Sequence, residues 1–202
     1  MKLLCESVNL SDYLQETEEI DFDHLVIREQ TALWAHRSLP ELDLVKEIFE
    51  FVRDKIAHSR DIQSPRITRK ASEVLVFKEG ICYAKSNLLA ALLRSFGIPA
   101  GFCYQRLTIG DEPETGYCIH ALNAVYLSSL QKWIRLDSRG NKEGVNAQFS
   151  TEEEKLAFPV REQYDEVDYP TIYVNPNPKT MQCLKDNTDG LDMYFHHLPT
   201  EI

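Results

Sequence analysis

Cys82, His120 and Asp137 are residue types that together support acyl transfer by a thiol, and each falls in a different expected element. A cysteine attacks as its thiolate and needs positive potential beside it. A histidine can take and return the proton, and a carboxylate can hold the imidazole in one tautomer. The apolar pattern after Cys82 predicts a helix over 82–96, stopped by Gly97 with Pro99 beyond, so Cys82 lies in its first turn. A helix start carries roughly half a positive charge and unpaired N–H groups, which favour a thiolate and could also hold an oxyanion.

The elements that must bring His120 and Asp137 to that turn are strands. From Gly101 the period changes, and GFCYQRLTI, YCIHALNAVYL and WIRLD read as three successive antiparallel strands. His120 sits on the second and Asp137 closes the third. Counted back from the 128–132 turn region, the two are opposite or nearly so, which sets their Cβ atoms about 5–8 Å apart. Alternation also puts Trp133, Arg135 and Asp137 on one face, so Arg135 is a rival partner for Asp137.

Upstream, Leu25, Val26, Leu33 and Trp34 suggest an amphipathic helix running to Arg37. Leu42, Val45, Ile48, Phe49, Val52 and Ile56 form the stripe of a helix from Pro40 to near His58. Ala71 to Val76 reads as a short helix, and Lys78-Glu79-Gly80 as a turn. After Asp137 one or two edge strands are expected in the Pro-rich 158–178 stretch. A last helix over 179–185 is interrupted at Asn187, Asp189 and Gly190 before resuming toward His197. Helices followed by a meander predict an α+β fold, a nucleophile helix packed on an antiparallel sheet. No linker or repeat divides residues 1–202, so one domain is expected, with an acidic arm at 1–21, the motif region at 71–138 and an extension at 151–202.

Composition narrows the function. Across 202 residues, 43% are hydrophobic and 27% charged, enough apolar material to close a core. Subtracting 32 acidic from 22 basic side chains leaves −10, which repels polyphosphates and anionic lipid, so nucleic acid and membrane surface are not expected partners. No apolar run is long enough for a bilayer span or a signal-peptide core, and a cytoplasmic location is expected. Five cysteines are an odd number without framework spacing, which in a reducing compartment implies free thiols.

The runs EGICYAKSNLLAALLRSFGIPAGF, HALNAVYL and WIRLD resemble the core of the transglutaminase-like superfamily of papain-like cysteine enzymes. The longer runs HSRDIQ, ASEVL, GFCYQRL and DSRGNKEG resemble a bacterial branch of it. The resemblance implies a papain-like fold and a Cys82, His120, Asp137 triad acting through a thioester. It further implies a peptidase or amidase, with a protein-glutamine transamidase or a non-catalytic binding module as alternatives. No cofactor and no metal are implied, since no acidic calcium loop is present. Leu122 and Ser138-Arg139 depart from the family pattern, which bears on the substrate-side wall.

Blander roles suit most other candidates. Cys5, Cys103 and Cys183 read as packing residues, and Cys118, two before His120, as packing or as a border of the site. His58 is explained by a helix C-terminus, His196-His197 by an exposed tail helix, and Asn123 by a structural amide facing away from His120. Gln63 and Tyr104 are candidates for a second oxyanion donor. A metal site from Cys82, Cys103, Cys118 and His120 lacks close ligand pairs. The loop between Gly110 and Gly116 is too acidic for phosphate, and the runs Glu16–Asp23 and Glu152–Glu154 read as solvated faces.

Overall fold

The computed structural model describes residues 1–110 and 112–202; Asp111, in the acidic loop, lies outside the described residues. In chain order the elements begin with β1 (Leu4–Cys5), α1 (Leu25–Ala35), α2 (Glu41–Lys55), β2 (Ala57–His58), α3 (Ala71–Phe77), β3 (Glu79–Gly80) and α4 (Cys82–Ser95). They continue with β4 (Ala100–Thr108), β5 (Tyr117–Leu127), β6 (Lys132–Leu136), β7 (Val167–Asp168), β8 (Thr171–Ile172), α5 (Pro178–Asp186) and α6 (Gly190–His196). The fold is α+β, as expected.

The organising element is α4. Every residue from Tyr83 to Arg94 is buried, because α1, α2 and α3 cover one side of the helix and β4 and β5 the other. Lys85, Asn87 and Arg94 are buried with its apolar side chains and donate to the Ile56, Arg69 and Ala100 carbonyls, so the helix is enclosed around its whole circumference. The stripe on α2 is as predicted, with Val45, Ile48, Phe49 and Val52 buried, but the helix ends at Lys55. Its last expected turn instead extends as β2, which pairs in parallel with β3 at Ala57↔Glu79 and His58↔Gly80. The predicted 78–80 turn is thereby a strand contact, entered through the left-handed Lys78 (φ 57°) that ends α3.

The sheet has the order β6-β5-β4-β7, antiparallel throughout, with registers Gln105↔His120 and Asn123↔Leu136. One face packs on α4, and the other encloses Tyr13, Cys103, Leu122, Ala124 and Ile172. On α1 the buried residues are Ile27 and Trp34, one heptad apart, while Leu25 and Leu33 stay exposed. The helix is therefore rotated from the face its leucines suggested.

The acidic arm is a correction to the solvated-face expectation. Glu18 and Glu19 pair with Arg69 at 2.7 and 2.5 Å. Asp21 accepts from the Ser72 backbone N–H at 3.0 Å, capping the start of α3 from outside. Ile20 fills the main core beside these pairs, and β1 pairs with β8. At the other end, α5 and α6 break between Asp186 and Gly190, and the Asp189 side chain caps α6. No helix among the described residues is long and apolar enough to cross a membrane.

Candidate active site

Cys82 opens α4, where Ile81 is extended (φ −76°, ψ 174°) and no side chain caps the first turn. The first intrahelical bond runs from the Lys85 N–H to the Ile81 carbonyl at 3.0 Å. The N–H groups before Lys85 are thus left without helical partners and point outward from the helix start. Two contacts fix this end. Gly80 lies so close to Thr68 and Ala84 that a Cβ there would meet them at 2.9 and 3.0 Å. The Tyr83 hydroxyl donates to the Ile119 carbonyl at 2.7 Å, tying the helix to β5 next to His120.

His120 and Asp137 form a sealed pair, 5% and 1% exposed, with Nε2 to Oδ2 at 2.8 Å. Continuing the register Asn123↔Leu136 outward sets His120 opposite position 139, so Asp137 stands two places away, just past the end of β6. That diagonal lies inside the expected reach. The carboxylate also accepts from the Arg139 N–H at 3.1 Å and the Ala157 N–H at 3.0 Å. Burial raises the Asp137 pKa, and these donors with the His120 charge overcome it and hold the group low. For His120 burial pushes down, while Asp137 and the Cys82 side chain push up and prevail, raising it to about 10. With Nε2 given to Asp137, Nδ1 is the nitrogen left for Cys82.

The rival partner is spoken for elsewhere. Arg135 binds Glu154 at 2.6 Å and Asp168 at 2.6 Å, both supplied by the C-terminal extension. Asn123, as expected, is structural, donating to the Ser86 and Gly101 carbonyls at 3.1 Å each. Cys103 is buried in the core beneath the opposite face of the sheet, and burial pushes its thiol up to about 12. Cys118 borders the site, and burial likewise pushes it up to about 12. All five cysteines are free. Among the described residues no group of three His, Cys, Asp or Glu is placed to hold a metal ion.

Cys82 and His120 line one cleft of about 330 Å³. Its walls include Ile81, Leu107, Ile109, Phe158 and Leu198, with Arg161 and Glu166 among its polar residues. Glu166 accepts from the Thr108 and Arg161 backbone N–H groups at 3.0 and 2.7 Å, so it is a satisfied wall residue. Neither expected oxyanion donor stands here. The Tyr104 hydroxyl accepts from the Asn177 N–H at 2.6 Å, and Gln63 is exposed in a turn outside the cleft.

Several residues at the site carry no sequence signal of their own. The Phe158 ring packs edge-on against His120 at 5.2 Å, and Ala157 completes the carboxylate's shell. Tyr194 enters from α6, and His58, assigned only a helix-end role by its spacing, lines the same cleft. Arg139, at a position that departs from the family pattern, is a wall residue whose guanidinium pairs with Asp61.

Residues 31–138 match the family model of the transglutaminase-like superfamily. No curated protein matches the chain. Among solved structures the chain is similar to a "putative cysteine protease" from Cytophaga hutchinsonii, at 18% identity and a TM-score of 0.53, over 66% of this chain and 43% of that one. It also matches the periplasmic domain of TgpA from Pseudomonas aeruginosa (18%, TM-score 0.46, 65% and 48%) and a TGase (17%, TM-score 0.46, 98% and 55%). The chain therefore covers about half the length of these structures.

Proposed function

The chain belongs to the transglutaminase-like superfamily, and from that premise we propose that it is a cysteine-dependent acyl-transfer enzyme that hydrolyses an amide bond. The observation that carries this reading is the buried His120–Asp137 pair at 2.8 Å, whose His120 lines the same cleft as a cysteine at an uncapped helix start. Cys82 attacks the acyl carbon as a thiolate, forming a C–S bond, and the negative charge moves to the carbonyl oxygen. As the C–N bond breaks, the His120 imidazolium gives its proton to the leaving amine. A thioester remains. His120, now neutral, takes a proton from water, whose oxygen attacks the thioester and releases the acid. Asp137 holds the ring in one orientation and favours its charged form through both half-reactions.

The cleft's apolar walls suit a peptide or amide whose flanking group is itself apolar. Transamidation shares every step to the thioester and differs in having an amine, not water, resolve it. The deciding experiment is the pH dependence of iodoacetamide alkylation, with the modified cysteine located by mass spectrometry, in the wild type and His120→Ala. Selective labelling of Cys82 at neutral pH that needs a more alkaline pH in the variant is expected. Slow labelling spread over several cysteines would refute the activated thiolate and favour a binding module.

A further inference from the structure

Five residues carry a buried polar side-chain atom without a hydrogen-bond partner among the described residues: His58, Ser59, Asn87, Gln105 and Asn123. Only His58 also lines the cleft that holds Cys82 and His120. Its orphan is Nδ1, which is sealed from solvent, whereas Nε2 has no hydrogen-bond partner among the described residues and is not among the sealed atoms, so Nε2 is the nitrogen left to meet a ligand in the cleft. We propose that His58 is the side-chain donor of an oxyanion site, its Nε2–H joining the free N–H groups at the start of α4 to hold the negative oxygen that forms when Cys82 attacks. This rests on the reading of Cys82 as the nucleophile.

Placement comes from the β2–β3 contact. His58 is in register with Gly80, two residues before Cys82, and the Ser59 N–H donates to the Gly80 carbonyl at 3.2 Å. Adjacent strands lie about 4.8 Å apart, so the imidazole is anchored one strand-width from the backbone that feeds the helix start. The ring is only 6% exposed and Tyr194 packs edge-on at 6.3 Å, which limits its rotation.

Tautomer follows from burial. Nδ1 is sealed from solvent and unpaired. A sealed lone pair is better tolerated than a sealed N–H, so the proton belongs on Nε2. Burial, helped by the charges of Arg139, Lys85 and His120 and opposed by Asp61, lowers the His58 pKa well below its usual value. The ring is therefore a neutral donor at neutral pH. The site thus holds one histidine charged and another neutral, and the two environments divide the work between proton transfer and charge stabilisation.

Alkylation and acylation separate the roles. Iodoacetamide reacts at a saturated carbon and forms no oxyanion. With p-nitrophenyl acetate, Cys82 attacks the carbonyl carbon, an oxyanion forms, the C–O bond breaks, and nitrophenolate leaves with the electron pair while acetyl stays on sulfur. His58→Leu, which keeps most of the volume and removes both nitrogens, is expected to slow acetylation of Cys82 by about 100-fold while leaving its alkylation rate and pH profile unchanged. His58→Gln, which restores an N–H donor, is expected to recover part of the loss. Acetylation of His58→Leu at the wild-type rate overturns the proposal, as does an equal slowing of both reactions, which would mean that His58 only shapes the cleft. A wild-type Cys82 that is neither selectively alkylated nor acetylated overturns the nucleophile reading itself, and with it this inference.

Discussion

Replacing Asp137 with Asn isolates what the buried charge does for its neighbours. The carboxylate and the His120 ring meet at 2.8 Å, and both are almost wholly buried. Taking their charge centres as about 4 Å apart at an effective dielectric near 20, the attraction is about 4 kcal/mol. At about 1.4 kcal/mol per pKa unit this is about 3 units, enough to bring His120 from about 10 toward neutrality. A ring near neutrality is about half protonated at pH 7 and loses its charge above it, so the imidazolium beside Cys82 is missing in mildly alkaline solution, where the wild type keeps it. Alkylation of Cys82 by iodoacetamide is expected to slow relative to the wild type and to shift toward more alkaline pH. The amide cannot satisfy every donor around it, because its nitrogen must face the N–H of Arg139 or of Ala157. An unpaired buried donor costs about 1–3 kcal/mol, so the variant should also melt several degrees lower. An Asp137→Asn protein that alkylates at the wild-type rate with the wild-type pH profile would refute the claim that this carboxylate sustains the charge on His120.

Three further outcomes are expected. Cys82→Ala abolishes turnover while thermal unfolding shows nearly the wild-type midpoint, since a half-buried thiol at a helix start holds little of the core; collapse of the fold would make Cys82 structural. Lys85, fully buried and donating to the Ile56 carbonyl at 2.5 Å, is lowered by burial from 10.5 to about 7, whereas His120 is raised from 6.5 to about 10. Between pH 7 and 10 the unfolded chain binds more protons at position 85, so that contribution to stability grows with pH; the native state binds more at His120, so that contribution fades. Denaturation at the two ends of this window should show stability falling more steeply with pH in Lys85→Met, and less steeply in His120→Ala, than in the wild type, and a change of slope in the opposite direction in either variant would refute the assignment. Gly101→Ala puts a Cβ 2.5 Å from Ile172 and 2.8 Å from the Tyr173 backbone oxygen, which cannot yield as a side chain would. A loss of about 1–3 kcal/mol in chemical denaturation is expected, and an unchanged midpoint would mean that β8 is not held this close.

Elements with strong periodicity and clear punctuation are legible in the sequence. The helix that opens at Cys82 runs over 82–95, one residue short of the expected end, because its apolar positions repeat without interruption and Gly97 follows in the left-handed region. The strand bearing His120 and the strand that ends just before Asp137 are legible for the same reason, and register brings the two residues within reach of each other. Where periodicity misled, a longer-range contact had overridden the local preference. The end of the predicted α2 was drawn out into β2 by pairing with β3, and the acidic arm, solvent-loving by composition, was recruited by Arg69 and Ser72.

From the order of residues alone came the residue types, the helix that starts at Cys82 and the sheet that carries His120, because short-range propensity and side-chain alternation are encoded locally. Which carboxylate serves the histidine was decided only by the fold. Arg135 and Asp137 share a strand end, and it took Glu154 and Asp168, far along the chain, to satisfy the arginine and leave Asp137 to the imidazole. The same holds for the walls. His58, Phe158 with Arg161, and Tyr194 come from three separate segments, and the aperiodic stretches among them carry no pattern that predicts where packing will set a side chain. Their convergence on Cys82 is a property of the closed core, in which burial lowers the pKa of both imidazoles and the Asp137 carboxylate with the Cys82 side chain reverses that for His120 alone.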